Sequence, residues 1–162
     1  MLSLRAATNP APEMTISFPL NKDTRTWTLA YSVTNENIVF TKEWVTKGDS
    51  IERWKEMFDE KAMLVKDSIR EHIDGWKGML AQVDPKAEVK EEKNVDGTIT
   101  VTYTSIPADE MGISRYFKAS DGIYILSYRV RPKLKNEETL KTWREILSTA
   151  KLVSTLEKKK GS

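Results

Sequence analysis

The sequence predicts an α+β domain in which an antiparallel β-sheet of about six strands packs with a long first helix and a C-terminal helix, in the order ββαββββα. Three observations predict it. Some segments alternate apolar and polar residues, as strands do, and one long segment repeats its apolar residues every three or four positions, as helices do. Two Asp-Gly pairs separate further β-rich segments, as hairpin turns do. Only antiparallel turn signals join the strands, which favours the α+β class.

The first two strands are predicted from alternation near the N-terminus. Residues 26–34 alternate with period two, which predicts one face carrying Trp27, Leu29, Tyr31 and Val33. A polar break at 35–37 precedes a second apolar run at 38–45. The two runs together indicate a β-hairpin.

A long helix is predicted next, because Asp49 and Glu52 have the spacing of a capping box. The apolar stripe that follows comprises Ile51, Trp54, Phe58, Ala62, Val65, Ile69, Ile73, Trp76, Leu80 and Val83. Asp84-Pro85 ends the segment. At about 1.5 Å per residue such a helix is long for a small domain, so we expect a bend near Gly75 and Gly78.

Four more strands are predicted at about 87–95, 98–106, 113–119 and 123–130, with Asp96-Gly97 and Asp121-Gly122 as turns. The last strand has apolar residues on both faces, which predicts a central position in the sheet. Asn136 is the expected N-cap of the final helix. The domain is therefore assigned to residues 14–153, with an N-terminal arm at 1–13 and a basic tail at 154–162.

Composition excludes several function classes. The 162 residues contain no cysteine and one histidine, which removes disulfides, thiol nucleophiles and multi-histidine metal sites. We therefore expect no metal, no cofactor and no catalytic residues. The net charge is +2, but without the three lysines at 158–160 the balance is 23 basic against 24 acidic residues. A nearly neutral body predicts no nucleic-acid binding, and the absence of a long apolar run predicts no membrane span.

Three residues are candidate ligand contacts: His72, Trp76 and Tyr128. They would line a cavity between the long helix and the sheet, where an imidazole that titrates near neutral pH could contact a ligand. The alternative interpretation is a boundary histidine with one nitrogen in water. The pattern leaves both open.

A threonine row is the least expected feature of the sequence. Four residues of one predicted strand share a face: Thr98, Thr100, Thr102 and Thr104. Threonine favours strands, so a solvated sheet face is the simple interpretation. If a helix covers this face, the hydroxyls would instead line a polar layer or a cavity that can hydrogen-bond a small ligand.

The strand-to-helix junction KEWVTKGDSIERWKEMF and the closing segment DGIYILSYRVRPKLKNEETLKTWREILSTAKLV resemble the PsbP-like α/β/α sandwich group. The shared features are a Gly-Asp-Ser helix start followed by a Trp, and a last strand leading into a helix that ends in a short apolar segment. The resemblance implies a non-enzymatic accessory or binding domain of the bacterial cell envelope. The chain would then be periplasmic or secreted with its leader removed; a cytoplasmic location is the alternative.

Three functional hypotheses follow. The first is a non-catalytic domain that binds a protein or small-molecule partner as a monomer or weak homodimer. The second is an enzyme or small-molecule carrier that uses the cavity around His72. The third is a secretion-linked chaperone or effector, which would expose a contiguous apolar patch on the helix.

Overall fold

The computed structural model describes residues 11–36 and 38–156; the rest of the predicted arm and tail lies outside these ranges. The elements are, in chain order, β1 (Met14–Ser17), β2 (Trp27–Asn35), β3 (Val39–Thr46), β4 (Glu56–Met63), α1 (Ile69–Val83), β5 (Glu88–Lys93), β6 (Ile99–Ser105), β7 (Glu110–Lys118), β8 (Ile123–Val130), α2 (Glu137–Thr149) and β9 (Lys151–Ser154). Short 3-10 turns occupy Leu20–Lys22 and Pro132–Leu134.

Seven strands form one antiparallel sheet in the order β2-β3-β4-β8-β7-β6-β5, and β1 pairs with β9 in a separate two-stranded sheet. The α+β class and the antiparallel sheet are confirmed. The predicted total of about six strands is wrong, because β1, β4 and β9 were not foreseen among the nine strands of the described residues. The central place of β8 is confirmed, since it lies fourth of seven.

One helix covers each face of the sheet. The side chains of β8 alternate between two cores: Ile123 and Ile125 pack with Ile73 of α1, whereas Leu126 packs with Trp143 of α2. A strand that is apolar on both faces is typical of such a buried central position. The protein is therefore built of three layers, helix on sheet on helix.

The predicted long helix is wrong in its first half. Residues 56–63 form β4, and α1 begins only after its N-cap Ser68. The hydroxyl of Ser68 accepts a hydrogen bond from the backbone of Glu71, whose carboxylate accepts one from the backbone of Ser68, which completes a capping box. Asp49, the expected cap, instead closes a loop by accepting hydrogen bonds from Lys55 N and Thr46 Oγ1.

The first strand differs from its prediction in the direction of its side chains. The β2–β3 register shifts between Leu29 and Tyr31, which marks a bulge at Ala30. An extra residue reverses the alternation, so Leu29 lies on the α2 face and Tyr31 and Val33 lie on the α1 face. The predicted single apolar face of this strand is therefore split between both sides of the sheet.

Both predicted Asp-Gly turns are present at hairpin connections. Gly97 joins β5 to β6 with φ +83°, a left-handed conformation that glycine adopts without strain. Gly122 lies against the end of β4, where a Cβ atom would approach the carbonyl oxygen of Met63 to 2.1 Å. The hairpin β7–β8 and the exit of the chain from β4 thus meet at a backbone contact that only glycine permits.

Candidate functional site

A small pocket lies between α1 and the sheet and is lined by His72 and Trp76. These two residues are one helical turn apart and therefore project from the same side of α1. The His72 ring lies 5.7 Å from the ring of Tyr116, and the Trp76 ring meets that of Tyr103 edge-on at 5.0 Å. The pocket has a volume of about 140 Å³. Two of the three predicted contact residues are thus brought together.

The polar side of this pocket is a cluster of three carboxylates around the guanidinium of Arg129. Its Nε donates to Asp59 Oδ2 at 3.1 Å, and its Nη2 also donates to that oxygen. Carboxylate oxygens of Glu43 and Glu110 lie 3.4 and 3.8 Å from its Nη atoms. Burial lowers the pKa of the Arg129 guanidinium, but the neighbouring carboxylates raise it by more. The pKa therefore lies above its ordinary value.

The ionisable rings in the pocket are uncharged at neutral pH. Burial lowers the pKa of His72, and the ammonium of Lys61 lowers it further, with a smaller opposite effect from Asp67. Burial also raises the pKa of Tyr116 to about 12, with Asp59 adding to the effect. These groups can offer neutral hydrogen bonds to a ligand, while the charges of Arg129 are already matched within the protein.

Tyr128, the third predicted contact, does not line this pocket. It lies between Ser127 and Arg129 in β8, and because successive residues of a strand point to opposite faces, it faces α2. Its ring stacks on Trp143 with centroids 4.9 Å apart, and its hydroxyl donates to Glu56 Oε1 at 2.5 Å. The residue is part of the core on the far side of the sheet.

A larger cleft, of about 440 Å³, lies on the α2 face. Its walls are β5, β6 and β7 on one side and the second half of α2 on the other. Two members of the threonine row, Thr100 and Thr102, line it, and the almost fully buried Ile113 and Leu147 lie at its bottom. The threonine face is therefore covered by a helix at this point, with a cavity between them.

Arg115 forms a rigid wall of the cleft. The residue is buried, and its Nη1 donates to the carbonyl oxygens of Leu147 and Ser148 at 2.6 and 2.7 Å, at the end of α2. Its Nη2 donates to Asp96 Oδ2 at 2.6 Å, and its Nε donates to Thr98 Oγ1 at 3.0 Å. Because all three nitrogens of the guanidinium donate in this way, Arg115 holds the helix end against the turn between β5 and β6.

Three lining groups of the cleft have no hydrogen-bond or ion-pair partner in the described part of the chain: the guanidinium of Arg144, the carboxylate of Glu92 and the hydroxyl of Thr102. Arg144 belongs to α2 and Glu92 to β5, and both residues are exposed where they line the cleft. The sequence offered a cavity at the threonine row only as the alternative to a solvated sheet face. In the sequence Glu92 is one of a cluster of surface carboxylates interleaved with lysines, and Arg144 is an ordinary surface charge, until the fold places both at one cleft.

Neither a metal cluster nor a spanning helix is present in the described residues. No three acidic or histidine side chains within 11–36 and 38–156 are arranged to hold a metal ion. Both helices of these residues are too short and too polar to cross a membrane.

Comparison with known proteins finds no protein-family model that matches the chain and no curated protein with significant sequence similarity. The chemistry of the two clefts is therefore the basis on which a function can be inferred.

Proposed function

We propose that this chain is a non-catalytic binding domain, of the same general kind as the PsbP-like group, that holds a small zwitterionic molecule in the cleft beside α2. The observation that carries the proposal is the pair of unpartnered opposite charges, Arg144 and Glu92, that line one cleft of about 440 Å³. Sites for small molecules have volumes of roughly 300–1,000 Å³. The His72 pocket, at about 140 Å³, is well below that range.

The hydrogen-bonding groups of the cleft suit a polar ligand with an apolar middle. Thr102 offers a free hydroxyl, and the hydroxyl of Thr100 accepts from Asn94 Nδ2 at 3.0 Å, which leaves its own proton to donate. The exposed side chain of Val95, which also lines the cleft, can pack against a hydrocarbon portion of the ligand. Small-molecule sites commonly combine a mostly apolar surface with a few polar groups.

The charges of the cleft select the class of ligand. Arg115 and Asp96 neutralise each other through their 2.6 Å ion pair. Arg144 and Glu92 remain, so a ligand with one carboxylate and one ammonium group is matched at both ends. A singly charged ligand leaves one wall unmatched and gains only one of the two ion pairs.

The proposal is tested by nuclear magnetic resonance titration of the 15N-labelled full chain with three probes of one shape. The probes are para-(aminomethyl)benzoate, a zwitterion; para-methylbenzoate, an anion; and para-methylbenzylamine, a cation. We expect saturable shifts at Thr100, Thr102 and the end of α2, with the zwitterion binding about fivefold more tightly than either relative, because one exposed ion pair contributes up to about 1 kcal/mol.

Two substitutions assign the charges. Arg144→Gln removes the partner of the ligand carboxylate, so this variant should bind the zwitterion only as tightly as the wild-type protein binds the cation. Glu92→Gln removes the partner of the ammonium group, so this variant should bind the zwitterion only as tightly as the wild-type protein binds the anion. Arg53→Gln removes an exposed arginine that does not line the cleft and serves as the matched control. Shifts at other residues, or equal losses in the Arg144 and Arg53 variants, would overturn the proposal.

A further inference from the structure

The two edges of the main sheet differ sharply in charge. At one edge, five of the six residues of β5 are charged (Glu88, Lys90, Glu91, Glu92 and Lys93). At the other edge, none of the nine residues of β2 is charged. An edge strand presents unpaired backbone N–H and C=O groups, and charges on it normally prevent pairing with another chain. The β5 edge is protected in this way, and the β2 edge is not.

The uncharged edge also exposes apolar side chains on both faces of the sheet. Leu29, Tyr31 and Val33 retain 50%, 43% and 37% of their surface, and Ile38 in the turn after β2 retains 40%. The bulge at Ala30 causes this distribution, because it turns Leu29 to one face and Tyr31 and Val33 to the other. A strand added to this edge would gain apolar contacts above and below it.

We propose that β2 pairs with β2 of a second copy of this chain, antiparallel, so that two seven-stranded sheets join into one across a twofold axis. Since β2 carries no charge, every antiparallel register of the strand against itself opposes only uncharged side chains. Residues 31–35, beyond the bulge, form the longest regular run and place Val33 at the middle of the self-paired segment.

A second copy in this orientation is favoured over the other arrangement that strand pairing allows. Pairing β2 of one copy with β5 of the next would repeat head to tail, which produces a ring or an open filament in place of a dimer. It would also set the charges of β5 against Tyr31 and Val33. The twofold arrangement avoids both, and because it covers little more than one strand edge, the dimer is weak and depends on protein concentration.

Sedimentation velocity of the full chain over a range of protein concentrations tests this proposal. We expect the average sedimentation coefficient of the wild-type protein to rise with concentration. Val33→Lys and Val33→Glu should each remain monomeric, because each sets like charges face to face at the centre of the contact. An equimolar mixture of the two variants should associate again, since Lys and Glu then meet across the twofold axis.

Val95→Lys and Val95→Glu are the matched controls, because Val95 is an exposed valine in the turn beyond β5 and should not change association. Circular dichroism checks that the Val33 variants fold. If the wild-type chain is monomeric at every concentration, the proposal is wrong, and the partner of the β2 edge would instead be an extended segment of another protein. Persistent association of Val33→Lys alone, or failure of the mixture to associate, would also overturn it.

Discussion

Individual charged residues inside the sheet have partners that are distant in sequence. Asp59 is 3% exposed, and Arg129, which donates to it, lies 70 residues further along the chain. Breaking such a pair leaves an uncompensated buried charge, which typically costs about 3–5 kcal/mol. The cluster around Arg129 therefore penalises any register of β4 against β8 that separates the two residues.

His72 makes the stability of the protein depend on pH near neutrality. Its pKa is lowered from 6.5 in the folded state, so the unfolded chain takes up a proton first as the pH falls. The contribution of neutral His72 to stability is therefore present above about pH 6.5 and is lost as the pH falls toward the folded pKa. We expect urea unfolding to show this decrease and expect His72→Gln to remove it.

Because the protein contains a single histidine, the pKa of His72 can be measured directly from the pH dependence of its ring-proton chemical shifts in the nuclear magnetic resonance spectrum. A midpoint at or above 6.5, or the same pH slope in the His72→Gln variant, would contradict the predicted burial of the ring.

Among the elements, β4 shows why a strand can have the pattern of a helix. Phe58 and Ala62 are four residues apart, and a step of four keeps side chains on one side of both a helix and a strand. Both face α2. A helix and a strand can be told apart only by apolar residues three or two positions apart. In β4 the residues two positions before and after Phe58 are Glu56 and Glu60. Because both are charged, the apolar–polar alternation of a strand cannot be seen in the sequence.

The start of α1 is tested by two serine substitutions. Ser68→Ala removes the N-cap hydroxyl and one half of the capping box, so the free energy of unfolding should fall by about 1 kcal/mol. Ser50→Ala lies at the start that the sequence pattern suggested, and because that exposed side chain caps no helix in the structure, the change should stay within about 0.5 kcal/mol. Urea denaturation measures both, and the opposite order would contradict the observed helix start.

At the scale of the whole molecule, Gly122 connects the hairpin β7–β8 to the end of β4. A Cβ atom at this position would lie 2.1 Å from the carbonyl oxygen of Met63, so the backbone would have to move. Gly122→Ala should therefore destabilise the fold by about 2 kcal/mol. Gly78→Ala in α1 meets nothing within 4 Å and should instead stabilise the protein by about 0.5–1 kcal/mol, since alanine favours helices.

Thermal or urea unfolding of the two glycine variants gives the comparison. Equal stability changes in both would show that the contact between Gly122 and Met63 does not constrain the molecule.

The candidate sites were partly predictable. The threonine row and the helical spacing of His72 and Trp76 each indicated one cleft, because both are local patterns. Tyr128 was assigned to the wrong side because its partners, Glu56 and Trp143, come from distant parts of the chain.

By itself the sequence determined the α+β class, six of the strands, the final helix with its Asn136 cap and both Asp-Gly turns. These features depend on interactions among residues that are close along the chain, such as caps, turns and alternation. Only the tertiary structure decided that residues 56–63 form a central strand, that Arg144 and Glu92 line one cleft and that β2 is an uncharged edge. Each of these depends on which distant segments become neighbours, and local sequence patterns carry little information about that pairing.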